Sequence, residues 1–104
     1  MDLLPEFFDG VNSFQWDEGN SDKVWLRHQV TQAEAEQVFF NRPVVIADDP
    51  AHSEKEVRHF ALGKTDGKRL LMVVFTIRKD QVRVISVRPM SRRERSIYDE
   101  AEDA

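Results

Sequence analysis

The hydrophobic pattern changes period once along the chain, from helical spacing in the first half to strand-like runs in the second. Met1 to Ser13 shows no clear period and is expected to be an N-terminal extension, with Leu3, Leu4, Phe7 and Phe8 available to dock elsewhere. "FQWD" follows as a short extended lead-in. Asp17 is placed to cap a helix that runs to about His28, with Glu18 in its first turn, where the helix dipole favours an acid. In "TQAEAEQVFF", Thr31 and Glu34 have the spacing of a capping box and Ala35, Val38 and Phe39 share one face, which predicts a second helix.

After "NRP" the period becomes that of strands. "VVIA" ends at the turn signal "DDP", the polar "AHSEKE" leads into "VRHFALG", and Asp66-Gly67 marks a hairpin. Arg69 to Ile77 is apolar on both parities, as in a central strand covered on both faces. "RKDQ" turns the chain into "VRVISVR", which alternates less cleanly and stops at Pro89. Ser91 and Glu94 form a second capping box for a final helix through about Ala101. The pattern predicts an α+β fold of order ααββββα on four strands, without repeats or linkers.

Composition narrows the classes. A chain of 104 residues, 40% apolar, fits one compact domain, here assigned to residues 14–104 behind the extension of residues 1–13. The longest apolar run, Leu70 to Ile77, is too short to span a bilayer, and the acidic start is unlike a secretory leader. A cytoplasmic protein without a membrane partner is expected. The absence of cysteine excludes disulfides, thiolate metal sites and cysteine nucleophiles. The net charge of -4 is unevenly distributed: residues 1–56 hold 4 Lys/Arg against 12 Asp/Glu, and residues 57–104 hold 11 against 7. Affinity for an anion therefore belongs to the second half.

The most informative stretch is "SVRPMSRRERSIYDE". Arg92, Arg93 and Arg95 crowd a helix start, where each opposes the macrodipole by about 0.3–1 kcal/mol. An anion held there by free backbone N–H groups, Arg88, Arg92 and Arg93 would reverse that cost, and phosphate is the obvious choice. The alternative is that the capping box satisfies the N–H groups and the arginines point into water. Helical spacing turns Ile97, Tyr98, Ala101 and the stem of Glu94 toward the core and leaves Arg92 and Arg95 outward. Strand alternation puts Arg88 on one face with Val82, Val84 and Ser86.

His52, Glu56 and His59 have the i, i+4, i+7 spacing of three ligands on a helix, but "EVRHFALG" reads as a strand, which separates Glu56 and Arg58 from His59. No metal site and no cofactor is expected. His28 suits the end of its helix as a cation. Glycine-rich phosphate loops, hydrolase nucleophile motifs and dinucleotide fingerprints are absent from the sequence.

Together, "FQWDEGNSDKVWLRHQV", "VFFNRPVVIADDPAHSEKEVRHFALG" and "RLLMVVFTIRKDQVRVISVRPMSRRERSIYDE" resemble the BrnT toxins of BrnT/BrnA toxin–antitoxin pairs, over about Phe14 to Glu100. The "D-P-x-H-S-E" loop and the closing "I-S-x-R-P-x-S-x-x-E-R-x-x-Y" carry most of the likeness. The resemblance implies a RelE/ParE-like fold, a ribonuclease that halts translation, and a DNA-binding BrnA-like antitoxin through which alone the toxin meets DNA. By position it points to His28, Arg58, Arg88, Ser91, Arg92, Glu94, Arg95 and Tyr98. Asn20, Val24 and Gln29 depart from the usual Lys, Asn and helix-ending Gly, which questions the first helix's part in the site.

RNA cleavage without metal uses the 2'-hydroxyl as an internal nucleophile, so the protein must move two protons and stabilise charge on phosphorus. On this reading Arg58 and Arg88 bracket the phosphate, and Glu56 with His28 or His52 does the acid and base work. Ser91, Arg92, Arg93, Arg95 and Tyr98 contact RNA. The competing reading is an interaction module that keeps the fold and uses its basic surface to bind a partner protein or nucleic acid.

Overall fold

A computed structural model of the chain describes residues 13–52 and 56–104, without the side chains of residues 23–26 and 52. The element order is β1 (Ser13–Gln15), α1 (Ser21–His28), α2 (Gln32–Phe40), β2 (Val45–Asp48), a 3-10 turn (Pro50–His52), β3 (His59–Lys64), β4 (Leu70–Arg78), β5 (Gln81–Pro89) and α3 (Arg92–Asp103). The fold is α+β, as the pattern predicts, but the sheet has five strands rather than four, in the order β1-β5-β4-β3-β2. The expected extension of residues 1–13 lies outside the described residues except for Ser13.

The added strand is the stretch taken for a lead-in. β1 pairs parallel with β5, Ser13 opposite Gln81 and Gln15 opposite Arg83, while every other pairing is antiparallel. Three residues are too few for an alternation signal, and long-range contacts hold them. Phe14 packs against Phe39 at 5.5 Å between ring centroids, and the Gln81 amide donates to Ser13 Oγ at 2.8 Å.

α1 also departs from expectation, starting at Ser21 rather than after Asp17. The Asp17 carboxylate accepts the Gly19 N–H at 2.8 Å and ion-pairs with Arg83 at 2.7 Å, so it closes a turn instead of capping the helix. Asn20 is buried behind that turn: its Oδ1 accepts the Asp17 N–H at 2.8 Å, and its Nδ2 donates to Gln15 O at 3.0 Å and Val84 O at 2.9 Å. At the other end Gln29 keeps the left-handed conformation, φ 53°, that a helix-ending glycine would take. Arg69 caps that end, donating to His28 O at 2.7 Å and Gln29 O at 3.0 Å. Gln29→Gly removes the Cβ penalty and is expected to stabilise the protein by about 0.5–1 kcal/mol, read as a raised urea midpoint.

The sheet buries both faces unequally. On one, Val38 and Phe39 of α2 meet Val73 and Phe75 of β4 and Val82 and Val84 of β5, with Phe39 edge-on to Phe75 at 5.1 Å. Gly63 allows the close approach of α2, since a Cβ there would lie 2.7 Å from Val38 Cγ1. On the other face α3 covers only part of the sheet, through Tyr98 with Leu62, Met72 and Met90. The uncovered remainder of that face is where a site can form.

The β4–β5 register explains which side chains reach it. Val74 pairs with Ser86 and Phe75 with Val84, so Ile85 is an extra residue on β5, a β-bulge. Val82, Val84 and Val87 stay on the α2 face, while Ile85, Ser86 and Arg88 line the other. Arg88 is therefore opposite Val82 and Val84 rather than beside them, because the bulge shifts the parity of everything after it.

Candidate functional site

Where α3 leaves the sheet bare, a groove of 410 Å³ opens. Its floor is Phe60, Met72, Val74 and Ile85, and its rim carries Ser86, Arg88 and Glu94 on one side and Asp49 and Arg58 on the other. An apolar floor bounded by two guanidinium groups suits a ligand with a planar apolar part and an anionic part.

Glu94 organises the helix side. As the third residue of the capping box it accepts the Ser91 N–H at 2.8 Å, while Ser91 Oγ accepts the Glu94 N–H at 3.2 Å. Its carboxylate also receives Arg88 bidentately, Nη1 at 2.7 Å and Nη2 at 2.9 Å. The anion that Arg88 meets at the helix start is thus a side chain of the protein, in place of the external phosphate anticipated there. Arg88 Nη1 also donates to Pro89 O at 3.1 Å. Of its five N–H donors, Nε–H and one Nη2 hydrogen stay available to a ligand.

Arg88, first, and the Ser91 N–H hold the Glu94 carboxyl below the usual carboxylate range against the opposing effect of burial. A depressed folded pKa stabilises the protein above the unfolded value near 4.5, and that contribution is lost as pH falls through the folded value. In urea titrations, Glu94→Gln should therefore be less stable than wild type at neutral pH, with the gap closing below pH 4.5.

On the opposite rim the Asp49 N–H donates to Arg58 O at 2.8 Å, closing the loop that leads into β3. Arg58 faces the groove from just before His59, which turns to the α2 face, stacks near Phe75 and pairs with Asp48 at 2.9 Å. Glu56 is bound bidentately by Arg78, at 2.9 and 2.7 Å. Arg78 foremost, with Arg58 and Arg83 adding their fields, lowers its pKa. Glu56 and His59 thus engage separate partners, Arg78 and Asp48, although β3 begins only at His59, so Glu56 and Arg58 precede the strand they were expected to lie in. No group of three metal-ligating side chains gathers among the described residues.

The remaining candidates divide. Arg92, Arg93 and Arg95 are exposed on the first turn of α3, without an ion pair among the described residues. Tyr98 is fully buried and donates to Pro43 O at 2.7 Å; burial first, then the charge of Glu102, pushes its hydroxyl up to about 12. Its ring belongs to the core, whereas Ile97, expected beside it, is 43% exposed. His28 sits at the end of α1, its carbonyl held by Arg69, and does not line the groove. The His52 side chain lies outside the described ones. Asp49 and the floor residues went unnoticed in the sequence: Asp49 reads there as one letter of a turn signal.

Residues 16–94 match a family model described as "Ribonuclease toxin, BrnT, of type II toxin-antitoxin system". No curated protein matches the chain significantly. Among the described residues no helix is long and apolar enough to cross a membrane.

Proposed function

The chain belongs to the BrnT family, the ribonuclease toxins of type II toxin–antitoxin systems, and from that premise we propose that the groove between Arg58 and Arg88 is a metal-independent endoribonuclease site. The observation that carries this reading is a pair of arginines, Arg58 and Arg88, lining one groove with an apolar floor. Cleavage there has the RNA 2'-oxygen attack phosphorus as the P–O5' bond breaks. The 2'-hydroxyl gives up its proton and the 5'-oxygen takes one, leaving a cyclic phosphate and a 5'-hydroxyl.

Arg88 and Arg58 act on the charge that builds on the phosphoryl oxygens. The two donors of Arg88 left over by Glu94 and Pro89 O point one edge of the guanidinium at that phosphate, and Glu94 keeps the group from swinging away. Arg92, Arg93 and Arg95 supply the sequence-independent attraction for neighbouring phosphates. Glu56 and Glu94 are a poor match for proton transfer at neutral pH, since both are held below the ordinary carboxylate pKa by arginine. On this view electrostatics and alignment supply most of the rate, translation stops because messages are cut, and a BrnA-like antitoxin neutralises the toxin by covering this face.

The test is cleavage of a structured RNA by purified, antitoxin-free protein in EDTA, with Arg58→Ala prepared identically. Cutting by wild type alone supports the assignment. Equal cutting by both points to a contaminant and removes Arg58 from the site.

A further inference from the structure

The sheet face that holds the groove continues beyond it toward the β4–β5 turn, and its side chains keep one theme. Arg88 stands opposite Met72, and Arg78 opposite Gln81 near the far end of the same strands. Arg78 lies six residue steps along β4 from Met72, about 20 Å at strand rise. Between them the face offers Val74 and Ile85, half-buried and apolar. Along one side runs the Glu56–Arg58 segment, tied down where Thr76 Oγ1 donates to Val57 O at 2.7 Å. Cation, apolar surface and second cation thus follow one another in a line that is longer than one nucleotide requires.

We propose that this face is a track for single-stranded RNA, in which Arg78 binds a phosphate several nucleotides from the cut and Glu56 restrains that binding by occupying Arg78. The proposal rests on the ribonuclease reading and extends it to the substrate: an unpaired strand, bound over several residues with its bases against the apolar strip. Alternating guanidinium groups and apolar surface match alternating phosphates and bases, and need no base-specific hydrogen bond.

The state of Arg78 fits this role. Its Nε and Nη2 hold Glu56, its Nη1 makes no hydrogen bond among the described residues, and its side chain is 47% exposed. Arg83, nearby on the same face, is only 14% exposed and committed to Asp17, so it shapes the track without being open to a phosphate. Arg78 binds the Glu56 carboxylate directly, and the charges of Arg58 and Arg83 add to its effect in holding that carboxyl below its ordinary range.

Glu56→Gln separates a restraining carboxylate from a catalytic one. Steady-state cleavage is measured on a mixed-sequence single-stranded oligoribonucleotide pool and on dinucleoside monophosphates. With Glu56→Gln the KM for the oligonucleotides is expected to fall about threefold or more, with kcat kept. With Arg78→Gln it should rise about tenfold, while the KM for dinucleotides moves less than twofold. A collapse of kcat in Glu56→Gln, or equal effects on long and short substrates, overturns the track. If wild type cuts neither substrate, the ribonuclease reading falls by itself. Fluorescence anisotropy with the same oligonucleotides then decides, and binding by Arg78→Gln as tight as wild type overturns the track.

Discussion

Arg88→Ala is expected to lower kcat for RNA cleavage by about two to three orders of magnitude, the usual loss when one preorganised charge-stabilising group is removed. The fold should survive. The lost ion pair with Glu94 is 41% exposed on the arginine side, so solvent screens it, and its contribution to stability is on the order of 1 kcal/mol or less. Neither the capping box nor the packing of Met72 depends on the guanidinium. Arg88→Lys keeps the charge but not the planar fork that Glu94 grips and that leaves an edge for phosphate, so it should recover only part of the rate. A folded Arg88→Ala protein that cuts at the wild-type rate would remove this residue from the site.

Why Arg88 reaches the groove was legible in the sequence, though not by the rule of strict alternation. In "VRVISVR" the valines fall at 82, 84 and 87, and that break in parity is what a bulge at Ile85 leaves behind. Straight alternation sends Arg88 to the α2 face, where its charge would have no water and no partner. Local signals fared better: both capping boxes, at Thr31–Glu34 and Ser91–Glu94, form as their spacing predicts. What stayed hidden depends on distant partners. β1 exists because β5 is there to pair with it, Asp17 is drawn from its capping role by Arg83, and the Arg88–Glu94 grip joins a strand end to a helix start. For the same reason Asp49 and Arg58 belong to one rim only once the sheet has folded.

Asn20 offers the second large effect, in stability rather than catalysis. Its three hydrogen bonds join the turn before α1 to the end of β1 and to Val84 O, the carbonyl just before the bulge. β1 ends at Gln15, opposite Arg83, so Asn20 serves Val84 where the parallel ladder stops. Asn20→Ala leaves the buried Val84 carbonyl and two half-buried backbone groups without their partner, and we expect a loss of about 2–4 kcal/mol at an unchanged m-value in urea. Asn20→Asp should cost more, since it faces two carbonyl oxygens with a charge that cannot donate. Cleavage per folded molecule should persist in Asn20→Ala, because the bulge is held independently by the Val74–Ser86 pairing and by burial of Val87. A variant that stays fully folded yet loses activity would show instead that Asn20 acts on the site through Val84. Against Arg88→Ala the two outcomes are opposite: one keeps the fold and loses the chemistry, the other weakens the fold and leaves the chemistry in whatever remains folded.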